Sequence, residues 1–380
     1  MKKRLFTPGP TPIPESVMLA MAQPILHHRN KDFEEIFQEV NGGLQYLYQT
    51  SRPVLTFASS GTGAMEAAFV NCLSKGDTII NIEGGKFGER WTKIPQSYGI
   101  DVDTLKVEWG KSATADDVKK QIKNNPKIKA VVMTHSETST GAFTDVKAIA
   151  KVVRENSDAL IMVDGVTSVG AMELKFDEWG LDTVATGSQK GLMLPPGLGF
   201  CAVSERAVKA RETSDLPKFY FDFKRAEKEL KAHTTPFTPA ISLIVGLRES
   251  LRLIREEGIE NVWHRHAQMA ESCRLAVKAL GLEIFAEKPA NSVTAVKVPA
   301  GLDADMVFKT MRSSYGMTLA GGQDHLKGKI FRISHLGYYD IFDMVTVIAG
   351  IENTLHHLKF DFEPGSGLTA IQRYLLNPSN

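Results

Sequence analysis

Lys190 lies in a stretch of sequence that favours covalent chemistry. It occurs in TVATGSQKGLMLPPGLGF, residues 183–200, where glycine, serine, proline and apolar residues surround it. A stiff turn of this kind can hold a lysine in a partly desolvated pocket, where the neutral amine is favoured and is a nucleophile toward aldehydes. A solvated loop lysine is equally compatible with this composition.

An anion site is predicted at ASSGTGAME, residues 58–66. Small residues that end a strand and open a helix expose backbone N–H groups and the positive end of the helix dipole, which suits phosphate. A tight turn with a serine or threonine N-cap would look the same in sequence. The segment has neither the GKS/T of a Walker loop nor a full GxGxxG, so a nicotinamide dinucleotide is disfavoured.

Asp164 ends the apolar run ALIMVDG, residues 159–165, so its carboxylate is expected to be partly buried and to need a partner. A loop or helix N–H is the simpler partner, and a protonated ring nitrogen is the alternative. A phosphate site, a buried aspartate and a loop lysine together describe a site for pyridoxal phosphate (PLP). There Lys190 would form the Schiff base, and Asp164 would pair with the pyridinium nitrogen.

The elements that must position these residues alternate in type along the chain. Short apolar runs are separated by helical patterns, which indicates an α/β fold with a mostly parallel sheet between helices. Ligands of such sheets sit beyond the carboxyl ends of the strands. We therefore expect one crevice to collect the residues that follow these runs, which occupy 54–59, 78–83, 129–135, 159–165, 183–188 and 199–204.

Four segments are predicted along the chain. Prolines make residues 1–20 an extended N-terminal segment. Residues 21–255 form the large domain that holds the cofactor. Residues 256–362, with shorter strands between helices, form a smaller α+β C-terminal domain, and residues 363–380 form a tail.

Charge and composition exclude several classes of function. The 380 residues include 45 Lys or Arg and 44 Asp or Glu, so the basic surface of a nucleic-acid-binding protein is not expected. No apolar stretch reaches the roughly 18 residues of a membrane span. The three cysteines are far apart and lack metal-ligand spacing, so we expect no metal site and a reduced, cytoplasmic protein.

Seven segments, in order along the chain, resemble class V aminotransferases of PLP fold type I. The likeness is greatest to alanine–glyoxylate, serine–glyoxylate and serine–pyruvate aminotransferases, and it leaves only the C-terminal tail uncovered. It implies the α/β fold of PLP-dependent transferases, PLP as the cofactor and transamination as the activity. The segments are TPGPTPIP, SSGTGAMEAA, THSETSTG, VDGVTSVG, GSQKGLMLPPGLG, TPAISLIVGLRESL and KIFRISHLG.

The resemblance also implies roles for individual residues. Lys190 would be the Schiff-base lysine and proton carrier, and Asp164 would hold the pyridinium. Arg332 would bind the substrate carboxylate as a bidentate pair, with Gly9 beside the substrate. Phe87 matches the position of an aromatic ring stacked on the pyridine, where some relatives have tryptophan. The other implied cofactor contacts are Ser60, Gly61, Thr62 and Gln189 at the phosphate and Thr138 near the phenolic oxygen.

Two segments resemble contributions from a neighbouring subunit. Thr235 and Thr238, in HTTPFTPA, match a segment that reaches the partner's phosphate, and two alignments leave open which threonine does so. HHRN, residues 27–30, matches a stretch near the neighbouring active site, and a solvated polar turn is an equal alternative. These likenesses imply an obligate homodimer with shared active sites.

The expected reaction is ping-pong transamination from a small L-amino acid, with alanine or serine favoured, to glyoxylate or pyruvate. A cysteine desulfurase-like lyase is disfavoured, because Gln189 replaces the usual histidine before the lysine and no cysteine follows Cys273. An accessory or regulatory subunit that has lost catalysis is disfavoured because Lys190, Asp164 and Arg332 are all retained.

Overall fold

The computed structural model describes residues 1–377. No helix within these residues is both long enough and apolar enough to cross a membrane. The helices are α1 (Glu15–Met21), α2 (Lys31–Tyr48), α3 (Gly61–Cys72), α4 (Lys86–Ser97), α5 (Ala115–Asn124), α6 (Val146–Asn156), α7 (Glu205–Thr213), α8 (Phe223–Lys231), α9 (Ile241–Glu257), α10 (Ile259–Ala279), α11 (Ala304–Tyr315), α12 (Ile341–His357) and α13 (Ser366–Leu376). The strands are β1 (Arg4–Leu5), β2 (Val54–Phe57), β3 (Thr78–Glu83), β4 (Asp101–Lys106), β5 (Ala130–Thr134), β6 (Ser136–Glu137), β7 (Ala142–Phe143), β8 (Leu160–Asp164), β9 (Thr183–Gly187), β10 (Gly199–Val203), β11 (Val293–Lys297), β12 (Met317–Thr318), β13 (Ala320–Gly321) and β14 (Ile330–Ser334).

The main sheet has the strand order β2-β10-β9-β8-β5-β3-β4. Parallel ladders join β9, β8, β5, β3 and β4, whereas β10 runs antiparallel to both of its neighbours. The predicted mostly parallel α/β sheet is confirmed, and each apolar run contains one of its strands. The sequence patterns do not reveal β4, because DVDTLK is a largely polar edge strand with half-exposed side chains.

Apolar side chains leave both faces of the sheet and enter two separate hydrophobic clusters. Val131 and Met133 of β5 belong to the cluster that includes side chains of α2, α6 and α9, whereas Val132 of the same strand belongs to the cluster that includes side chains of α3 and α7. Successive side chains of a strand point to opposite faces, so this alternation buries both sides of the sheet. The resulting rigid platform brings the carboxyl ends of its parallel strands to one edge.

The smaller part of the chain contains a three-stranded antiparallel sheet in the order β11-β14-β13. β1 pairs with β12, so the extended N-terminal segment joins this part. Within the segment predicted as a tail, α13 packs against α10 and α12, and Glu352 accepts a hydrogen bond from the backbone N–H of Gly367. Residues 378–380 lie outside the described residues. The domain bounds at residues 20, 255 and 362 remain predictions.

Candidate active site

Lys190 lies in the turn after β9 with its amine buried. The residue is 9% exposed, and Nζ donates a hydrogen bond to the carbonyl oxygen of Pro8 over 2.6 Å. The pKa of Lys190 is lowered to about 8, chiefly by burial and further by the cations Arg332 and Arg90, while Asp164 opposes the shift. About one tenth of the amine is therefore neutral at pH 7, far more than for an ordinary lysine.

Hydrogen bonds fix the turn that carries Lys190. Ser188 Oγ donates to the carbonyl oxygen of Pro195 over 2.7 Å, and Thr11 Oγ1 donates to the carbonyl oxygen of Lys190 over 3.2 Å. Beside Nζ, Gly9 has a φ of +139°, and a Cβ at this position would lie 2.1 Å from Nζ. The N-terminal segment thus closes the pocket around the amine, and only glycine fits at that point.

Asp164, at the end of β8, is buried and accepts two hydrogen bonds. Trp91 Nε1 donates to Oδ2 over 2.6 Å, and the backbone N–H of Val166 donates to Oδ1 over 2.9 Å. Burial raises the pKa of Asp164 to about 6, while these two donors and the charge of Lys190 act in the opposite direction. The carboxylate is ionised above this pH and can pair with a cation.

The amino end of α3 follows β2 and has no side-chain cap. Ser60 occupies the N-cap position, but its hydroxyl makes no capping hydrogen bond. A Cβ on Gly61 would lie 2.5 Å from Cγ2 of Val166, so this turn requires glycine. A Cβ on Gly187 would meet both the backbone nitrogen of Gly61 and Oε1 of Gln189, which is buried without a partner in the described chain. These groups form a cradle whose free backbone donors suit an anion.

Thr138 and Arg332 come from distant parts of the sequence and meet at this edge. The hydroxyls of Thr138 and Thr167 share a hydrogen bond of 2.9 Å, and the carbonyl oxygen of Thr138 accepts one from Nη1 of Arg332 over 2.8 Å. Nε and Nη2 of Arg332 donate to the carbonyl oxygen of Gly321 over 3.0 and 2.7 Å. Burial lowers the pKa of Arg332 to about 10, so its guanidinium remains charged at neutral pH.

Helix α4 brings an aromatic ring and a second guanidinium to the site. Phe87 is half-buried in the first turn, and the guanidinium carbon of Arg90 lies 4.9 Å from its ring centroid. Nη1 of Arg90 also donates to Oγ1 of Thr62 over 3.1 Å. Sequence reasoning misses Arg90 and Trp91, and the one available signal is that both follow Phe87 in FGERW on the same short helix.

Glu137 is a buried carboxylate that the sequence patterns also miss. Oε2 accepts a hydrogen bond from the backbone N–H of Gly88 over 2.9 Å, and Oε1 accepts one from Ser139 Oγ over 2.6 Å. Burial raises the pKa of Glu137, and these donors oppose the shift. The carboxylate binds the first turn of α4 and so fixes the helix that carries Phe87 and Trp91.

Thr235 and Thr238 lie near the carboxyl end of β2, where they line a small cavity with Ala58. Thr235 is buried, whereas Thr238 is exposed. Within residues 1–377, no hydrogen bond joins either threonine to residues 60–62. The single chain therefore does not connect these threonines to the cradle at the amino end of α3.

The residues gathered at this edge fit PLP. Lys190 offers a buried amine for the aldehyde, Asp164 offers a buried carboxylate for the ring nitrogen, and the uncapped end of α3 offers donors for the phosphate. Throughout the described part of the chain, no group of three or more His, Cys, Asp or Glu side chains is arranged to hold a metal ion. Fold and site together define the class of PLP-dependent transferases.

A family model described as Aminotransferase class-V matches residues 4–339. The chain belongs to the class V aminotransferase family and is a PLP-dependent aminotransferase. The resemblance stated from the sequence motifs is thereby confirmed, together with the fold class and the cofactor.

Proteins similar to this chain include a hydrogenase subunit and aminotransferases with different amino donors. The chain is 43% identical to the small subunit of the soluble hydrogenase of Synechococcus sp., with 98% of each chain covered. It is 38% identical to the serine–glyoxylate aminotransferase of Methylorubrum extorquens, over 98% of this chain and 96% of that protein. Among solved structures, the ureidoglycine–glyoxylate aminotransferase of Bacillus subtilis is 30% identical, with a TM-score of 0.93 and 99% of each chain covered.

Proposed function

We propose that this enzyme moves an amino group from a small L-amino acid, with alanine and serine favoured, to glyoxylate or pyruvate. The observation that carries the proposal is the coupling of Lys190 to two oppositely charged side chains. Asp164 raises the pKa of Lys190 and Arg332 lowers it, so the charges of both side chains reach the amine. A reactive amine, a partner for the ring nitrogen and a carboxylate clamp are the parts that transamination needs.

The hydrogen bonds of Arg332 support binding of an α-carboxylate. A guanidinium has five N–H donors, and three of those on Arg332 reach the carbonyl oxygens of Gly321 and Thr138. Within the described residues, one N–H on each Nη remains, and a carboxylate can accept such a pair as a bidentate contact. The backbone carbonyls orient the side chain in advance, so little side-chain entropy is lost on binding.

Lys190 carries the proton in this proposal. When bound, PLP supplies an electron-poor ring that stabilises negative charge on the substrate α-carbon. Lys190 accepts the α-proton at Nζ as a neutral amine and later donates it as an ammonium, and a pKa of about 8 suits both roles near neutral pH. Asp164, ionised at that pH, would keep the ring nitrogen protonated.

The names of two relatives support glyoxylate as the acceptor. The Methylorubrum and Bacillus enzymes both carry it in their names, while their donors differ. Serine or alanine is proposed as the donor, because a small side chain needs no second charged clamp beyond Arg332. Aspartate and ureidoglycine are the donors to test against them.

A panel of donors tests the proposed reaction. L-serine, L-alanine, L-aspartate and ureidoglycine are supplied separately with glyoxylate, and glycine formation is measured. The proposal predicts turnover with serine or alanine, parallel double-reciprocal plots, and none with Lys190→Ala. A preference for aspartate or ureidoglycine of more than about tenfold in kcat/KM would overturn the donor assignment.

An accessory or regulatory subunit is the second candidate, because the Synechococcus relative is named as a subunit of a soluble hydrogenase. The burial of Lys190 and its lowered pKa argue against this candidate. Burying a lysine costs folding stability, and a protein without catalytic activity gains nothing in return. Absence of turnover with every donor of the panel, by protein that has captured PLP, would favour this second candidate.

A desulfurase-like lyase is disfavoured by the state of the cysteines. Cys72, Cys201 and Cys273 are buried free thiols. Burial raises the pKa of each thiol, to about 12 for Cys273, whereas a nucleophilic cysteine needs a lowered pKa. A reduced, cytoplasmic setting for these free thiols remains a proposal.

We also propose a homodimer in which each active site receives residues from its partner. Arg29, in HHRN, donates from Nη1 to Oγ1 of Thr234 over 2.9 Å, so this segment lies beside residues 234–238, which contain both candidate threonines. Exposed aromatic rings continue the same surface, since Phe219 is 69% exposed and its ring centroid lies 5.8 Å from that of Phe237. A contiguous exposed apolar patch is typical of a protein–protein interface.

A further inference from the structure

The proposed phosphate cradle lacks a positive charge of its own. Its candidate contacts are neutral, whereas a phosphate monoester carries between one and two negative charges at neutral pH. The dipole of α3 supplies only about half a positive charge. A cation close to the cradle is therefore expected. The candidate contacts are Ser60, Gly61, Thr62, Gln189, Thr235 and Thr238.

Arg90 is a cation that touches this set. Its Nη1 donates to Oγ1 of Thr62 over 3.1 Å, and its guanidinium carbon lies 4.9 Å from the ring centroid of Phe87. These contacts hold the guanidinium between a candidate phosphate contact and the candidate stacking ring. Its other four N–H groups make no hydrogen bond within residues 1–377, so they are free for a ligand.

Arg90 also differs from two lysines on the same helix. Lys86 and Lys93 both pair with Glu89, at 3.2 and 3.8 Å, whereas Arg90 has no acidic partner among the described residues. The positive charge of Arg90 reaches the active site, because it lowers the pKa of Lys190. The guanidinium of Arg90 is half-buried, has no counter-ion among the described residues and lies beside the uncharged phosphate cradle. It is therefore positioned to bind an anionic ligand.

We propose that Arg90 binds the phosphate group of PLP and supplies the charge that the cradle lacks. This inference rests on the proposed cofactor site and concerns only how its phosphate end is held. The hydrogen bond to Thr62 orients the guanidinium, and the face of Phe87 supports it through a cation–π contact.

Two aldehydes that differ only in the phosphate test this role. The apoprotein is titrated with PLP and with pyridoxal, and covalent capture is followed by visible absorbance. Arg90→Gln should weaken PLP binding about 30-fold and pyridoxal binding less than about threefold, because a charge-assisted contact is lost only with PLP. Inorganic phosphate should compete with PLP in the wild type and much less in Arg90→Gln.

Two further variants complete the design. Arg90→Lys keeps the charge and loses the planar fork, so we expect a selective loss of PLP affinity of about fivefold. Lys93→Gln removes the same charge from the same helix and should leave both affinities unchanged. If Arg90→Gln does not fold, Arg90→Met decides instead, since it also removes the charge and an unchanged preference for PLP over pyridoxal in that variant rejects the role.

Three outcomes overturn the inference. Equal losses of affinity for PLP and for pyridoxal in Arg90→Gln would mean that Arg90 only supports the fold. Unchanged PLP affinity with a raised KM for L-aspartate would assign Arg90 to the substrate instead. If the wild type captures PLP and neither Arg90 variant loses PLP affinity selectively, the role of Arg90 is rejected and the cofactor site stands. If the wild type fails to capture PLP, the proposed cofactor site itself is rejected.

Discussion

Trp91 donates a hydrogen bond from Nε1 to Oδ2 of Asp164 over 2.6 Å, and both side chains are buried. The bond joins α4 to the end of β8. It favours the ionised carboxylate and so opposes the desolvation that raises the pKa of Asp164 to about 6. Trp91 thus tunes the carboxylate that is proposed to pair with the ring nitrogen.

Trp91→Phe keeps an aromatic ring and removes this donor. The pKa of Asp164 should rise by about one unit, because desolvation then meets less opposition. Since a protonated carboxyl cannot pair with the pyridinium, the loss of PLP affinity that begins below about pH 6 should begin near pH 7. Titrations of the apoprotein with PLP from pH 5 to 8 measure the shift. Trp263→Phe is the control, because its indole nitrogen has no partner in the described chain.

The lowered pKa of Lys190 predicts how cofactor capture depends on pH. Only the neutral amine attacks an aldehyde, and its fraction grows as the pH rises through about 8. The rate of pyridoxal capture by the apoprotein should therefore rise about tenfold per pH unit below that value and level off above it. Stopped-flow absorbance measures the rate. A profile that still rises at pH 10, as for an ordinary lysine, would mean that the amine is not desolvated.

Gly9→Ala tests the contact between the N-terminal segment and Lys190. A Cβ at this position would lie 2.1 Å from Nζ, on a backbone with φ of +139°. Either the lysine or the segment must move, and kcat should fall about 100-fold. Gly301→Ala is the control, because it also has a positive φ, +85°, but has nothing within 4 Å. Similar kcat values for the two variants would contradict the placement of Gly9.

Arg332→Lys keeps the charge and removes the bidentate fork. It should lower kcat/KM for the amino donor about 100-fold, mostly through KM, while the absorption band of bound PLP remains. Arg312→Lys, an exposed arginine on α11, is the matched control. Loss of the PLP band together with activity would assign Arg332 to the cofactor site rather than to the substrate.

Phe219→Asp tests the proposed dimer. Phe219 is 69% exposed beside residues 234–238, so a charge there should weaken association at least about tenfold. Light scattering during gel filtration measures the molecular mass across a range of concentrations. Leu376→Asp, at an 80% exposed position on α13, should leave the mass unchanged. A monomeric wild type would reject the shared active site.

The core of the fold could be predicted because its strands are short apolar runs. β5 and β8 are buried on both faces, and such strands carry a periodic signal that needs no knowledge of their neighbours. β4 lacks that signal because it lies at the edge of the sheet. The docking of α13 also could not be foreseen, since it depends on the surface that α10 and α12 create together.

The same contrast holds in the candidate site. Lys190 and Asp164 could be singled out because Lys190 follows one predicted strand and Asp164 ends another, and strand ends collect ligands in this fold class. Trp91 and Arg90 could not, because their directions depend on how α4 is fixed by Glu137, which belongs to β6, about 50 residues further along the chain. The roles of Arg332 and Phe87 came only from the family resemblance.

Chemical trapping of the cofactor tests whether Lys190 forms the Schiff base. The PLP-loaded protein is reduced with borohydride, digested and mapped by mass spectrometry, with Lys190→Ala treated in parallel. We expect a pyridoxyl phosphate adduct on Lys190 and none in the variant. An adduct on a different lysine, or an unmodified Lys190 in protein that has bound PLP, would contradict it.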